Sequence, residues 1–453
     1  MGNKKALFFI DGPGGTGKSF LYSALLATIH SKGGIALVMA TSGIAASILP
    51  GGRTTHSRFK IPIDLSTSRT CRISKQSSIG CLIRESKLIV WDEAPMAKTD
   101  AIKALDKALQ DLCGCVDIFG GKVIVFGGDF RQVLPVVRRG SRKDTVCACI
   151  ISSDVWPSLE KLQLVENMRA CLDPLYMSFL LRVGNGEEKT FGDDLIKIPE
   201  PLALADPLHE SSLDELISAI YPDITNVGGS DLIVNRAIST KKNVFMDEVN
   251  SKLVATFPGE LVEYLSFDEV VNPSHAAEYG DLITSLTSSG MPEHRVQLKV
   301  NAPVILLRNL DPTEGLCNGT RLVCKKMDKN LIHAQIAVGD FLGKDVFIHR
   351  IPFEPPEEEQ YPVPYIRKQF LLRLCFAMTI NKAQGQTLDH VGIYLREPVF
   401  SHGQLYVALS RAKKAASVKM LIQPPFGDGN LVNLTENIVY KEVLQAANII
   451  LQH

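Results

Sequence analysis

Nowhere in the 453 residues is there an uninterrupted apolar run of the roughly 18 that a membrane-spanning helix needs. The apolar stretch Ala6–Ile10 is too short for the core of a secretory signal, and Ala6 stands where N-myristoylation requires Ser or Thr. The expectation is a soluble protein. Net charge is also lacking: 49 basic residues face 49 acidic ones, which argues against a uniformly basic nucleic-acid coat protein. A neutral body can still enclose a basic channel. Cysteine occurs ten times but never as Cys-x-x-Cys; the tighter pairs Cys113/Cys115 and Cys147/Cys149 do not have the spacing of a zinc module. Reduced thiols and no resident metal on sulfur are expected. There is no internal repeat and no long biased tract.

What is present reads as a folded chain of two to four domains, 45% apolar and 22% charged. The first 165 residues alternate short apolar runs with stretches of helical period. The runs are LFFI (7–10), IALVMA (35–40), KLIVWD (87–92) and KVIVFGGD (122–129), with helices expected over 20–31 and 98–112. Buried runs separated by helices predict a parallel sheet covered on both faces. Residues 53–86 interrupt this rhythm as a loop-rich insertion. A second alternation starts at LIV (232–234) and returns at LLRLCFAMTI (371–380), VGIYL (391–395) and VKMLI (418–422). Between them, short strands around Asn318-Gly319 predict a hairpin in a small β domain, closed by the acidic, proline-rich segment 353–364.

After LFFI comes Gly12-Pro13-Gly14-Gly15-Thr16-Gly17-Lys18-Ser19, and then a helix. This is the phosphate cradle G-x-x-x-x-G-K-[ST]. Glycines let backbone N–H groups converge on a phosphate, Lys18 adds a point charge, and Ser19 offers a hydroxyl to Mg²⁺. A nucleotide with Mg²⁺ is therefore the expected ligand, and the cradle alone leaves kinase, GTPase, remodelling ATPase and helicase open. The strand KLIVWD ends in Asp92-Glu93, where one carboxylate can hold a metal-bound water and the other can polarise the attacking water. A third buried strand ends in Gly-Gly-Asp129, and Gln132 beyond it is placed to sense a terminal phosphate.

GPGGTGKSF, ATSGIAAS, WDEAPM, GGDFRQVLPV, ENMR, TINKAQGQT and YVALSRA follow one another from about Leu7 to about Glu442. In that order they resemble the petite-integration-frequency family of superfamily I, group B helicases, in wording closest to the plant-type and Helitron-type members. The resemblance implies an α/β fold of two RecA-like P-loop NTPase lobes with parallel sheets, residues 1–165 and 166–453. It also implies a small wedge-like insert at about 57–86 and a small β-barrel insert at about 296–365. Arg169 and Arg411 would be the arginines that reach the γ-phosphate, a role a guanidinium fork suits. Gln384 and Gly385 would lie near the nucleotide cleft. Thr379 and Lys382, together with Thr41, Ser42, Thr54, His56 and Phe59, would contact DNA, the two rings by stacking on bases.

The implied activity is ATP-dependent 5′→3′ travel on single-stranded DNA with unwinding of duplex junctions, by a monomeric motor. Recombination, repair and telomere upkeep are the family's pathways, and the nucleus is the expected compartment. Two departures stand out. The family's adenine-reading glutamine helix has no counterpart before the cradle strand, where only Met1–Ala6 stand. The His-x-His metal site of the Helitron-type endonuclease is also missing, since no two histidines lie two apart. The first departure keeps open a second reading, a truncated or decayed helicase acting only as a DNA-binding module.

Overall fold

The computed structural model describes residues 7–62, 71, 73–168, 173–192, 194–207, 209–225, 231–271, 276–286, 291–355, 361, 363–423 and 433–449. The chain divides into two compact units. Unit 1 holds Met1–His209, Ala383–Asp389 and Leu395–His453; unit 2 holds Glu210–Lys382 and His390–Tyr394.

Unit 1 is built on a six-stranded parallel sheet. Its strands are β1 (Leu7–Asp11), β2 (Ile35–Ala40), β3 (Arg53–Thr54), β4 (Ser86–Asp92), β5 (Val123–Gly128) and β6 (Glu160–Gln163), in the order β3-β2-β4-β5-β1-β6. The apolar runs of the sequence are these strands, and their alternation divides two cores. Phe9, Leu37, Ile89 and Ile124 enter one core, while their neighbours Ile10, Val38, Val90 and Val125 enter the other. Side chains alternate across a strand, so a run with no polar break needs cover on both faces. Helix α1 (Lys18–Ser31) covers one face with Tyr22 and Leu26. The Thr99–Cys113 helix covers the other with Ile102, Leu105 and Leu109, spaced to share one stripe.

Unit 2 also contains parallel strands, Arg236–Thr240 pairing with Ala377–Thr379 on one side and with His390–Tyr394 on the other. Here the sequence expectation shifts: residues 232–234 lie in the short Asp231–Val234 helix, and the strand starts at Arg236. A three-residue apolar run is too short to tell strand from buried helix by pattern alone. The rest of unit 2 is antiparallel. Five strands run in the order Asp345–His349, Leu331–Ile336, Arg321–Met327, Pro303–Leu306 and Leu372–Leu374. The expected pairing around Asn318-Gly319 is present, with Pro303–Leu306 against Arg321–Met327 and Gly319 at φ 92°.

Sheets of three and two strands share the same core, including Val304, Leu322, Ile332, Ile348, Tyr365 and Leu372. Among the described residues no barrel closes. Each sheet stays open, with Asp345–His349 and Leu372–Leu374 as the edges of the largest.

Candidate nucleotide site

The cradle sits where β1 hands over to α1. Gly15 and Gly17 adopt φ of 97° and 86°, which only glycine takes up without strain. Gly12 has no room for a side chain: a Cβ there would lie 2.5 Å from Thr16 Oγ1. That hydroxyl donates to Pro13 O at 2.9 Å and staples the loop across itself. Lys18 Nζ donates to the carbonyls of Gly12 and Pro13.

A cavity of about 340 Å³ opens on the cradle, lined by Gly14, Gly15, Gly17, Lys18 and Ser19. At the carboxyl ends of β4 and β5 its wall is made by Asp92, Glu93 and Gln132. Gly385, Gln386, Thr387 and Arg411, all in unit 1, complete it. Parallel strands present such openings at their carboxyl ends, where backbone N–H groups and helix starts converge. Gln384 reaches the site indirectly, donating through Nε2 to Glu93 Oε2 at 3.2 Å. Phe20, Ile48 and Met168, all exposed, form an apolar part of the lining that the motifs did not foretell.

Both acidic residues are under tension. Burial raises the Asp92 carboxyl above its usual range, and the charge of Lys18 works against that rise. Tyr22, wholly buried in the core, faces Asp92 and favours its charged form, yet Asp92 Oδ1 has no hydrogen-bond partner among the described residues. Burial, and after it the charge of Asp92, pushes Glu93 up to about 7. Its backbone is left-handed, φ 53° and ψ 37°, a conformation that costs a non-glycine residue roughly 1–2 kcal/mol. Such strain persists only where surroundings impose it. Thr41 does so here, donating its hydroxyl to Glu93 O at 2.7 Å and its amide to Asp92 O at 3.1 Å.

The donor set suits a hard cation. Ser19 and Asp92 line the same cavity, and a buried carboxylate oxygen with no partner among the described residues is what an oxygen-loving divalent ion completes.

Arg411 lies in the wall with its guanidinium already engaged. Nε donates to Val407 O at 2.8 Å, Nη1 to Gln386 O at 3.1 Å, and Nη2 to Ser410 Oγ at 2.7 Å. Arg169 lies outside the described residues.

The segments expected to touch DNA from unit 1 turn largely inward. Thr41 supports the acidic pair, Ser42 caps the Gly43–Ser47 helix through Ala45 N, and Thr54 caps the Thr55–Phe59 helix through Ser57 N. Phe59 is a correction: it is fully buried in the core beside Trp91 and Ile83, so its ring has no free face for a base. One turn of helix carries it under the sheet, which the sequence pattern did not reveal. His56 is exposed. In unit 2, Thr379 ends a strand of the parallel sheet, and Lys382 lies on the short Ile380–Ala383 helix, its ammonium pKa lowered by burial and then by Arg373.

Sequence reasoning passed over a buried polar group behind Gln132. Asp129, Arg131 and Tyr406 are all buried there, with Asp11 at the end of β1. Arg131 Nη1 stands 3.2 Å from Asp129 Oδ1 and 3.7 Å from Asp11 Oδ2. Burial and then Asp129 raise the Asp11 carboxyl to about 6. Asp129 and Tyr406 come from opposite ends of the chain, so no local spacing could have paired them.

Comparison with known proteins agrees with this geometry. The family model for PIF1-like helicases matches residues 1–191, and the model for the 2B domain of the DNA helicase Pif1 matches residues 281–327. The ATP-dependent DNA helicase PIF1 of Danio rerio is 27% identical over 426 residues, covering 91% of this chain and 58% of its own length. The human PIF1 is likewise 27% identical with the same coverage. Pif1 of Bdellovibrio bacteriovorus is 25% identical over 91% of this chain and 83% of its own. The chain thus spans about three-fifths of the vertebrate relatives it matches.

Among solved structures, Pif1 helicase from Candida albicans superposes with a TM-score of 0.67 at 22% identity, covering 97% of this chain and 95% of that one. The Bacteroides Pif1 structure in complex with ADP-AlF3 and single-stranded DNA gives 0.66 at 21% identity, covering 96% of both chains. The fold is theirs, and the two family models fall on the cradle unit and on the antiparallel region, so residues 1–191 are similar to PIF1-like helicases and residues 281–327 to the Pif1 2B domain.

Proposed function

We propose that the chain is an ATP-driven motor that travels 5′→3′ on single-stranded DNA and opens the duplex junctions it meets. One observation carries the proposal: a single cavity gathers the cradle of β1, the acidic pair of β4, Gln132 after β5, and Gly385 and Arg411 from far along the chain. A small-molecule kinase accounts for the first two sets and leaves the motifs that carry Gln132, Gly385 and Arg411 unexplained.

The residues divide the chemistry between them. Gly12, Gly14, Gly15, Thr16 and Gly17 shape the amide nest, and Lys18 with the start of α1 offsets the charge of the β- and γ-phosphates. Ser19 and Asp92 would hold a Mg²⁺, which when bound spreads phosphate charge away from the leaving oxygen. Glu93, with an affinity for protons near neutrality and with Gln384 holding one of its oxygens, is suited to polarise the attacking water. Arg411, joined by Arg169, meets the charge of the transferring group once its present contacts are exchanged. Thr379, Lys382, Thr41, Ser42, Thr54 and His56 supply the DNA contacts, and two RecA-like lobes, working as a monomer, convert each hydrolysis into an advance along the strand. The nucleus is the compartment we assign to it.

A second reading has a specific basis. The Arg411 guanidinium is held by its own neighbours, so a chain that grips DNA without hydrolysing ATP fits the same arrangement.

Steady-state ATPase activity with and without single-stranded DNA separates the two. Strong stimulation is expected, with Lys18→Ala lowering the stimulated rate by at least about 10²–10³-fold. DNA binding with no hydrolysis by the unaltered chain would put the DNA-binding module in first place.

A further inference from the structure

Gln132 carries an amide whose two ends do opposite things, and at ordinary precision they are told apart only by their partners. Its Nε2 stands 3.4 Å from Asp129 Oδ2, and its Oε1 is buried with no hydrogen-bond partner among the described residues. The reverse orientation would set the amide oxygen against a carboxylate, two acceptors facing each other in a buried place. Asp129 therefore selects the orientation.

Asp129 is itself over-determined. Its Oδ1 accepts from Arg131 N at 3.1 Å and Arg131 Nη1 at 3.2 Å, and its Oδ2 accepts from the Tyr406 hydroxyl at 3.0 Å. Arg131 is held in turn by Asn185 Oδ1 at 2.7 Å from Nε. Tyr406 is buried, and burial together with the neighbouring Asp129 keeps its phenol protonated, so it is a donor here at any working pH.

We infer that Asp129 and Tyr406 are positioning residues for ATP hydrolysis, holding the Gln132 amide so that its oxygen rather than its nitrogen is the free end. It is the reading of unit 1 as an ATPase on which this rests. An acceptor at the end of β5 takes a hydrogen from an O–H donor such as the attacking water and repels a phosphate oxygen. Gln132 then orients water instead of sensing the phosphate directly.

The same contact ties Gln132 to Arg411. Tyr406 lies on the Gln404–Leu409 helix, and Arg411, just beyond its end, bonds back to Val407 O. The helix starts at Gly403, φ 72°, where a Cβ would lie 2.3 Å from Arg131 O and 2.7 Å from the Gln132 carbonyl carbon. Backbone and hydroxyl together register the Arg411 helix on the Gln132 loop, so neither moves alone.

A kinetic cycle on the full chain with single-stranded DNA tests this. Tyr406→Phe keeps the ring and removes one donor; kcat for ATP should fall about tenfold while KM stays within about twofold. Gln132→Ala should cost at least as much, and Tyr406→Phe added to it should cost nothing more. Independent, multiplying losses in the double variant would overturn the inference, because a tyrosine that merely packs has no reason to act through Gln132. Asp129→Asn gives a second route that leaves the tyrosine side chain in place, although it replaces the oxygen to which its hydroxyl donates. Its new NH₂ faces Gln132 and turns the amide, so its effect too should vanish in the Gln132→Ala background, and persistence there would count against the inference. An unaltered chain with no ATPase at all would instead remove the reading beneath it.

Discussion

Two buried polar centres in this protein are constructed to opposite rules. Around the nucleotide cavity of unit 1, Asp92 Oδ1, Gln132 Oε1 and Gln384 Oε1 are buried and unpartnered among the described residues. In unit 2, Arg367 is fully buried and its guanidinium is used all round. It forms two parallel bonds to Asp268, and donates to Ile283 O at 2.7 Å, Leu286 O at 3.0 Å and Pro292 O at 3.3 Å. An unmet buried polar atom costs roughly 1–3 kcal/mol, so two of them on one cavity, with a third on the glutamine behind Glu93, need a reason. A substrate that completes them is such a reason. A saturated centre such as Arg367 has nothing left to offer a ligand and serves as a pin between strands and loops.

The largest effect expected from breaking that contrast is at the pin. Arg367→Ala takes the guanidinium from a buried Asp268 carboxylate, which keeps the Ser266 hydroxyl at 2.6 Å and His294 at 3.4 Å, and from three carbonyls, a loss that typically costs about 3–5 kcal/mol. Chemical denaturation should show unit 2 losing that much stability. Arg367→Met together with Asp268→Leu should recover most of it, since removing both partners leaves no orphan charge. If the single variant were as stable as the unaltered chain, saturation would not be the measure of a structural centre.

This contrast also marks what the sequence could and could not disclose. The cradle, Asp92-Glu93 and Gln132 are legible because each is a contiguous motif at the end of an apolar run, and phosphate chemistry fixes the residue types. The strands of unit 1 are legible for the same local reason. Phe59 was misread because a residue five positions past Thr54 can face either way until the helix is placed. The resemblance implied a small barrel at about 296–365, where the described strands form open sheets, and no local pattern says which strand edges meet. Asp129 with Tyr406 and Arg367 with Asp268 join distant parts of the chain, and only the fold pairs them.

A saturated centre also exists in unit 1, and it extends the comparison to pH. His402 is buried, donates from Nε2 to Phe130 O at 2.7 Å, and accepts at Nδ1 from Tyr440 N at 2.8 Å. That pair of bonds requires the neutral ring. Burial lowers its pKa to about 4, while the Phe130 carbonyl, Asp129 and Glu442 oppose the shift and Arg142 assists it. An unfolded histidine titrates near 6.5. Below that value the unfolded chain takes up a proton that the folded chain refuses. Stability from His402 is therefore complete above about 6.5 and is lost as pH falls toward 4, by roughly 3 kcal/mol in all. Unfolding measured across that range, with His402→Gln as reference, should show this slope disappear in the variant.

The smallest effect belongs to a pair with the geometry of Arg367–Asp268 but not its setting. Arg142 forks onto Glu442, with Nε 2.7 Å from Oε1 and Nη2 bonded to Oε2, and its guanidinium also lies 4.6 Å from the centre of the Tyr440 ring. The side chains of Arg142 and Glu442 are 54% and 42% exposed. Water already solvates both charges, so the pair gains little by meeting and pays no penalty when parted. A double-mutant cycle of Arg142→Ala and Glu442→Ala should give a coupling of about 0.2–1 kcal/mol that shrinks as salt is raised. A coupling above about 2 kcal/mol, unchanged by salt, would mean that bidentate geometry alone makes a pin. A value near the expected one, set beside the loss at Arg367, would assign the difference to exclusion of water.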